Sequence, residues 1–348
     1  MDSSTWIRHF PLLLLQTLFI FSQSQCIPVL SLSLTRKEDH TQHHQKSDTT
    51  LHTARYNLRR LIQPFTFPTS YSMPELPEVE VILSHLKGTV LGGSIQTFTI
   101  HRSDIVRTGH NLIPWFRGST ITNITRKGKC VIFTCHRSNE ARYLLSELGM
   151  TGLWFFHHTL ASSPQHLHCH IGLSGAQATE LYYWNPRRFG RLWLFALPEL
   201  EAFLERRFGS DALDIGEQSF IQLIQSCRGR LKPFFLDQHR LAGIGNIYAN
   251  EILFRARIHP QAHGYRLGAP SCQRLYHTMH TVLQEAIAAG GSSIRDFRAP
   301  DGSQGHFQKL HQVYQKAGLP CSHGCPTLIK RMPSERSSFY CSACQKRR

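Results

Sequence analysis

No internal repeat or low-complexity tract marks the folded part of this sequence, which excludes a repeat array. The apolar run PLLLLQTLFIF, Pro11 to Phe21, is too short to span a bilayer as a helix. Acidic residues are scarce, with 23 Asp and Glu against 39 Lys and Arg, giving a net charge of +16 and a pI near 9.7. Residues 1–72 hold 7 basic and 4 acidic residues, leaving 32 against 19 downstream, so the surplus belongs to the body of the protein and favours a polyanionic partner. The ten cysteines do not form an evenly spread disulfide framework. Six are scattered, at 26, 130, 135, 169, 227 and 272, and four crowd into residues 321–344, which points to a metal site.

What is present suits a globular protein of 348 residues with 41% hydrophobic content, enough for two domains. Arg8 and His9, the apolar run and SQSQC outline a secretory signal. Residues 35–72 carry scattered Arg, His, Ser and Thr without hydrophobic period, and read as disordered or as an organellar transit segment. From Met73 the pattern becomes that of a folded chain. Pro77 suits a first helical position, Glu78 and Glu80 a first turn, and Val79, Ile82, Leu83 and Leu86 recur at helical spacing. Short β-type runs follow: TFTIH, STITNIT, KCVIFTC, ARYLLSEL, GLWFF, ELYYW and RLWLFAL, the pattern of a β-sandwich or barrel. GSDALDIGEQ resembles a linker, and SFIQLIQSC, LKPFFLDQ, IYANEILFRARI and SCQRLYHTMHTVLQEAIAAG read as helices.

Four constellations carry chemistry. Pro74-Glu75 follows Met73; at a true N-terminus Pro74 would be a secondary amine able to attack a sugar C1′, with Glu75 shuttling protons, although the bare dipeptide also fits a helix entry. Lys129 in TRKGKCVIF heads a strand, where a lysine is commonly a solvated charge. Gly243, Gly245 and Asn246 form a turn ahead of an amphipathic helix whose N–H groups suit phosphate, while an ordinary helix hairpin has the same pattern. Cys321, Cys325, Cys341 and Cys344, spaced C-x3-C-x15-C-x2-C, fit one tetrahedral Zn²⁺, with disulfides as the alternative.

Together, MPELPEVE, RKGK, LGMTG, NPRRFG, GIGNIYANE, GGSSIRDF with DGSQGHF, and a terminal FYCSACQK resemble the formamidopyrimidine-DNA glycosylase family over Met73–Arg348. The resemblance implies an α+β multidomain fold: a catalytic β-sandwich over 73–207, a linker over 208–217, a helix-two-turn-helix domain over 218–315 and a zinc-finger β-hairpin over 316–348, after an extension at 1–72. It implies a bifunctional glycosylase and abasic-site lyase that removes oxidised purines from double-stranded DNA, acting as a monomer without a membrane. Pro74 is then the nucleophile, Glu75 the acid/base, Lys129 a lesion-side backbone contact, and Arg336 the phosphate-binding arginine of the zinc hairpin. Met150, Arg187 and Phe189 match the residues that fill the gap left by an extruded nucleotide, and His168, Arg187, Arg228 and Asn246 match DNA-contacting positions.

The sequence departs from the family at four points. The first cysteine pair is C-x3-C where C-x2-C is usual, which makes His323 a substitute ligand to consider. Glu147 stands where histidine is frequent, and HLHCHIG is rich in histidine. Pro74 is internal: either translation begins at Met73 and an aminopeptidase exposes Pro74, or a protease removes residues 1–72. The first is favoured, because Met73 sits where the family starts and a secreted glycosylase would meet no DNA. A start at Met73 implies the cytoplasm or nucleoid, and a transit peptide an organelle. Two other readings are an endonuclease VIII-like enzyme for oxidised pyrimidines and a non-catalytic DNA-binding protein that keeps its extension.

Overall fold

The computed structural model describes residues 73–294, 296–333 and 336–347. The apolar run and the extension read from the sequence lie outside these residues. Among the described residues, no helix is long and apolar enough to cross a membrane.

The chain opens with helix α1 (Leu76–Val90), which has proline in its first turn and Glu78 accepting the Glu75 N–H at 2.8 Å. Its face of Val79, Ile82, Leu83, Leu86 and Val90 is buried. Then come β1 (Ser94–Ile100), β2 (Val106–Thr108), the single turn α2 (Ile113–Phe116), β3 (Thr120–Lys127), β4 (Cys130–Arg137), β5 (Glu140–Glu147), β6 (Leu153–Phe155), β7 (Leu167–Ser174), β8 (Glu180–Trp184) and β9 (Arg191–Phe195). Hydrogen bonding links them in the order β2-β9-β5-β4-β3-β1-β7-β8-β6. At the junction of β1 and β3 only Ser94 and Thr120 pair, and there the sheet folds over into two layers. Phe133 of β4 meets Trp154 of β6 across the interior at 5.6 Å, in one core with Phe98, Ile171 and Leu192.

Helix α3 (Leu197–Arg207), absent from the sequence reading, covers the outer face with Leu200 and Phe203 on Trp193, Phe195 and Leu145. The helical part contains α4 (Glu217–Gln225), α5 (Leu231–Leu236), α6 (Asn246–Arg255) and α7 (Ala269–Ala288), with β10 (Ser210–Asp211) pairing in parallel with β11 (Leu241–Ala242). The hairpin β12 (Lys330–Met332) and β13 (Ser338–Tyr340) ends the fold. Ile329, Phe339 and Cys341 share the helical core, so the hairpin is packed onto the helices.

The segment read as a linker is anchored. Asp211 accepts from Arg126 Nη1 at 2.6 Å, Arg126 Nη2 at 2.8 Å and Gly128 N at 2.8 Å, and Arg126 Nε reaches Glu80 at 2.9 Å. The Arg126 and Asp211 side chains are 3% and 1% exposed. This bidentate pair holds the β3–β4 turn, where Gly128 takes a φ of +57° and Lys129 follows. Asp211→Ala would strand a buried guanidinium and is expected to lower stability by about 3–5 kcal/mol. Urea unfolding checks this; a loss below about 1 kcal/mol would contradict it.

Candidate active site

The site begins where α1 meets the N-terminus of α6. The Glu75 carboxylate, 3% exposed, accepts from the N–H groups of Gly245 at 2.8 Å, Ile247 at 2.9 Å and Tyr248 at 3.3 Å. Leu76 N–H donates to Gly243 O at 3.0 Å and closes the same junction. A Cβ on Gly245 would collide with the Glu75 carboxyl, and one on Gly243 with Leu76, which explains both glycines of GIGN. The turn and helix end do bind an anion, as the sequence suggested, but the anion is Glu75 and not an incoming phosphate.

Behind Glu75 lies a buried polar network. Glu78 accepts from Tyr248 Oη at 2.5 Å and Ser292 N at 2.7 Å, and Ser292 Oγ meets His311 Nε2 at 3.1 Å. Burial, reinforced by the charge of Glu75, raises the Glu78 pKa to about 7. The Glu75 pKa is raised as well, because burial outweighs Lys129 and the three backbone donors. Lys129 keeps part of its length exposed, yet burial around its ammonium lowers its pKa, against the pull of Glu75 and with the push of Arg336.

Sequence reasoning missed Lys232. It is 3% exposed, and its Nζ donates to the carbonyls of Arg336 at 2.9 Å and Ser337 at 2.6 Å and to Ser338 Oγ at 3.0 Å. Burial lowers its pKa to about 7, Glu75 opposing and Arg336 adding to the fall. A lysine within the apolar run LKPFFL was the available signal. The charges of Lys129 and Lys232 are thus coupled to that of Glu75, which adjoins buried Pro74, and Arg336 opposes the charge of both lysines. A cavity of about 520 Å³ lined by Arg230, Lys232, Gln261, Met332, Arg336 and Ser338 opens beside them.

A second cluster joins the LGMTG and NPRRFG turns. Arg187 N–H donates to Thr151 Oγ1 at 3.2 Å, and its guanidinium lies 5.2 Å from the Phe189 ring, which is 50% exposed. Met150 is half-buried on the adjacent turn, and Gly149 there packs against the backbone of Phe189. An exposed phenylalanine at the tip of such a turn has no role in the core. Arg228 is exposed on the loop between α4 and α5, its carbonyl bonded to His263 Nδ1 at 2.8 Å, and Asn246 is half-buried at the start of α6. His168 is 1% exposed and its Nε2 meets Asn185 O at 3.0 Å, at an irregularity in the β7–β8 pairing between Leu167 and Cys169. Glu147, the departure beside LGMTG, is neutralised by Arg207 Nη2 at 3.0 and 2.8 Å.

The ligand atoms of Cys321, Cys325, Cys341 and Cys344 all lie within 4.8 Å of one another, and the Cys321 and Cys344 sulfurs are 3.9 Å apart. A tetrahedral thiolate centre spaces its sulfurs about 3.8 Å apart, so these four residues can hold a metal ion despite the widened first pair.

Because the folded-state pKa of Glu78 stands above its unfolded value, its stabilising contribution is full below about 4.5 and is lost as pH rises through about 7. Glu78 should account for a loss of roughly 3 kcal/mol across that window, and Glu78→Gln should make the slope shallower, leaving the part due to Glu75. Denaturant titrations from pH 4.5 to 8 test it, and an equal slope in the variant would refute the assignment.

The chain matches two family models: the formamidopyrimidine-DNA glycosylase N-terminal domain over residues 73–192 and the formamidopyrimidine-DNA glycosylase H2TH domain over residues 209–298. A formamidopyrimidine-DNA glycosylase of Solibacter usitatus is 37% identical over 280 residues, covering 79% of this chain and all of the relative; one of Bacillus anthracis is 34% identical over 281 residues with the same coverage. The structure resembles that of Lactococcus lactis Fpg in complex with abasic-site DNA, at a TM-score of 0.69 and 31% identity over 78% of this chain and all of that one. It also resembles the complex of wild-type Lactococcus lactis Fpg with DNA containing N7-benzyl-Fapy-dG, at a TM-score of 0.70 and 32% identity over 79% of this chain. On the two domain models and on relatives matched over their full length, this chain belongs to the formamidopyrimidine-DNA glycosylase family.

Proposed function

We propose that this protein is a base-excision repair glycosylase with abasic-site lyase activity, which removes oxidised purines such as 8-oxoguanine and formamidopyrimidines from double-stranded DNA. The observation that carries the proposal is the buried corner at Pro74, where the Glu75 carboxyl, capped by three N–H groups of α6, is coupled in charge to Lys129 and Lys232, with Arg336 opposing the charge of both lysines. The nitrogen of Pro74 must be a free amine, so the proposal includes loss of everything before it, by a start at Met73 followed by aminopeptidase cleavage or by proteolysis. A start at Met73 would place the enzyme in the cytoplasm at the nucleoid; a transit peptide would place it in an organelle.

The amine of Pro74 attacks C1′ of the lesion nucleotide, and the bond to the base breaks, the base leaving with a proton. Protonation of O4′ then breaks the C1′–O4′ bond and opens the sugar, leaving an iminium that withdraws electrons, so loss of a C2′ proton expels the 3′-phosphate, and a second elimination expels the 5′-phosphate. A carboxyl of raised pKa at Glu75 can hold the proton exchanged with the sugar ring oxygen. Lys129 and Arg336 neutralise the phosphates beside the lesion, and Met150, Arg187 and Phe189 occupy the hole in the stack. Zn²⁺, bound by Cys321, Cys325, Cys341 and Cys344, would fold the hairpin that carries Arg336. Four thiolates leave no coordination position for water, so its role is structural. One chain suffices for all of these roles, and the proposal is a monomer.

Borohydride reduces the iminium to a stable amine, which provides the test. Protein beginning at Pro74 should form a covalent adduct with duplex DNA containing 8-oxoguanine opposite cytosine and should nick it, whereas protein with residues before Pro74 retained should bind without trapping. Full trapping by the extended protein would sink the proposal.

A further inference from the structure

The first cysteine knuckle contains three intervening residues, and the middle one is His323. Its ring lies flat on Phe254, at the C-terminal end of α6, with centroids 4.3 Å apart and planes 8° apart. The same ring places Nδ1 3.5 Å from the sulfur of Cys344, a ligand of the second knuckle. The turn is closed by Gly324, whose φ is +74° and whose N–H donates to Cys321 O at 3.0 Å. His323 therefore touches three units at once: the first knuckle through the chain, the second through Cys344, and α6 through Phe254.

We infer that His323 is a positioning residue of the metal centre, donating its Nδ1–H to the Cys344 thiolate while its stack on Phe254 fastens the knuckles to α6. This inference rests on the reading that the four cysteines hold Zn²⁺. Zn²⁺ with four thiolates carries a net charge of −2, and that excess resides on sulfur, which N–H donors stabilise. Thr327 Oγ1, 3.1 Å from the sulfur of Cys341, serves a neighbouring ligand in the same way. Coordination by His323 itself is disfavoured on two grounds. Four sulfurs already converge within 4.8 Å, and the coplanar stack fixes the ring with Nδ1 directed at a sulfur. The histidine considered as a substitute ligand for the widened pair is thus an outer partner of the complete set.

The stack also shows how metal retention reaches the active corner. Along α6, Glu75 caps the first turn, Asn250 Oδ1 accepts from Phe339 N–H of β13 at 2.8 Å, and Phe254 carries His323. The helix that meets the catalytic dipeptide at one end is held to the metal knuckles at the other.

The test compares full-length wild type with His323→Ala and His323→Phe. Zinc transfer to a chromophoric chelator, followed under pseudo-first-order conditions, should be on the order of tenfold faster or more in both variants, since outer-shell partners of metal ligands are commonly worth 10–100-fold in affinity. The Phe variant, which can keep the stack, should be the less affected. As a second readout, the cobalt-substituted wild type and both variants should share one four-thiolate d–d spectrum. Zinc release at the wild-type rate from both variants would overturn the inference, as would a cobalt spectrum that changes from mixed sulfur and nitrogen ligation when the imidazole is removed. A wild type that retains no zinc would defeat the zinc reading itself, an outcome distinct from zinc held and released equally by all three.

Discussion

The arrangement depends on one carboxylate placed at one helix end. Glu75 follows directly on Pro74, and its side chain takes three N–H groups at the start of α6, about 170 residues later in the chain. A helix N-terminus carries roughly half a positive charge, and a buried carboxylate without donors costs several kcal/mol, so each satisfies the other. The bond joins the sandwich side of the molecule to the helical side at the residue that stands beside the candidate nucleophile. Leu76 is tied to Gly243 by a backbone bond in the same corner.

Other buried polar contacts extend that junction. Arg126 and Asp211 tie the turn bearing Lys129 to the segment leading into the helices, and Lys232 holds the carbonyls at the base of the C-terminal hairpin. Glu251 of α6 accepts from the N–H groups of Gln312, Val313 and Tyr314, while Gln345 Nε2 donates to Ile258 O. Buried charges fully supplied with partners contribute more to a unique geometry than to stability.

Much of this was legible in the sequence where a local rule governs it. The helical spacing after Pro77, the seven β-type runs, the four later helices and the cysteine spacing each report a period or a turn, and each appears in the structure. Strand β7 was missed because HLHCHIGLS places histidines on a strand whose inward Cys169, Ile171 and Leu173 nevertheless alternate. Helix α3 was hidden because the apolar run RLWLFAL reads through its start, although Pro198 and Glu199 mark a helix beginning at Leu197. Nothing local could have announced that Glu75 fills the helix end that looked free for phosphate, and the apolar run around Lys232 marks it as unusual without saying which partners it meets. Both follow from long-range packing, which a period does not encode. Buried His168 shows the same limit, since it lies at an irregularity in the β7–β8 pairing beside the inward Cys169.

The claim that Glu75 caps α6 and thereby joins the two halves can be measured directly by native-state amide exchange. In the wild type, Gly245, Ile247 and Tyr248 should exchange slowly, and Glu75→Ala should accelerate those three amides by about tenfold to a hundredfold, the loss of a charged acceptor costing about 1–3 kcal/mol, with little change in the β-sandwich. Equal protection of the three amides in both proteins would contradict the account.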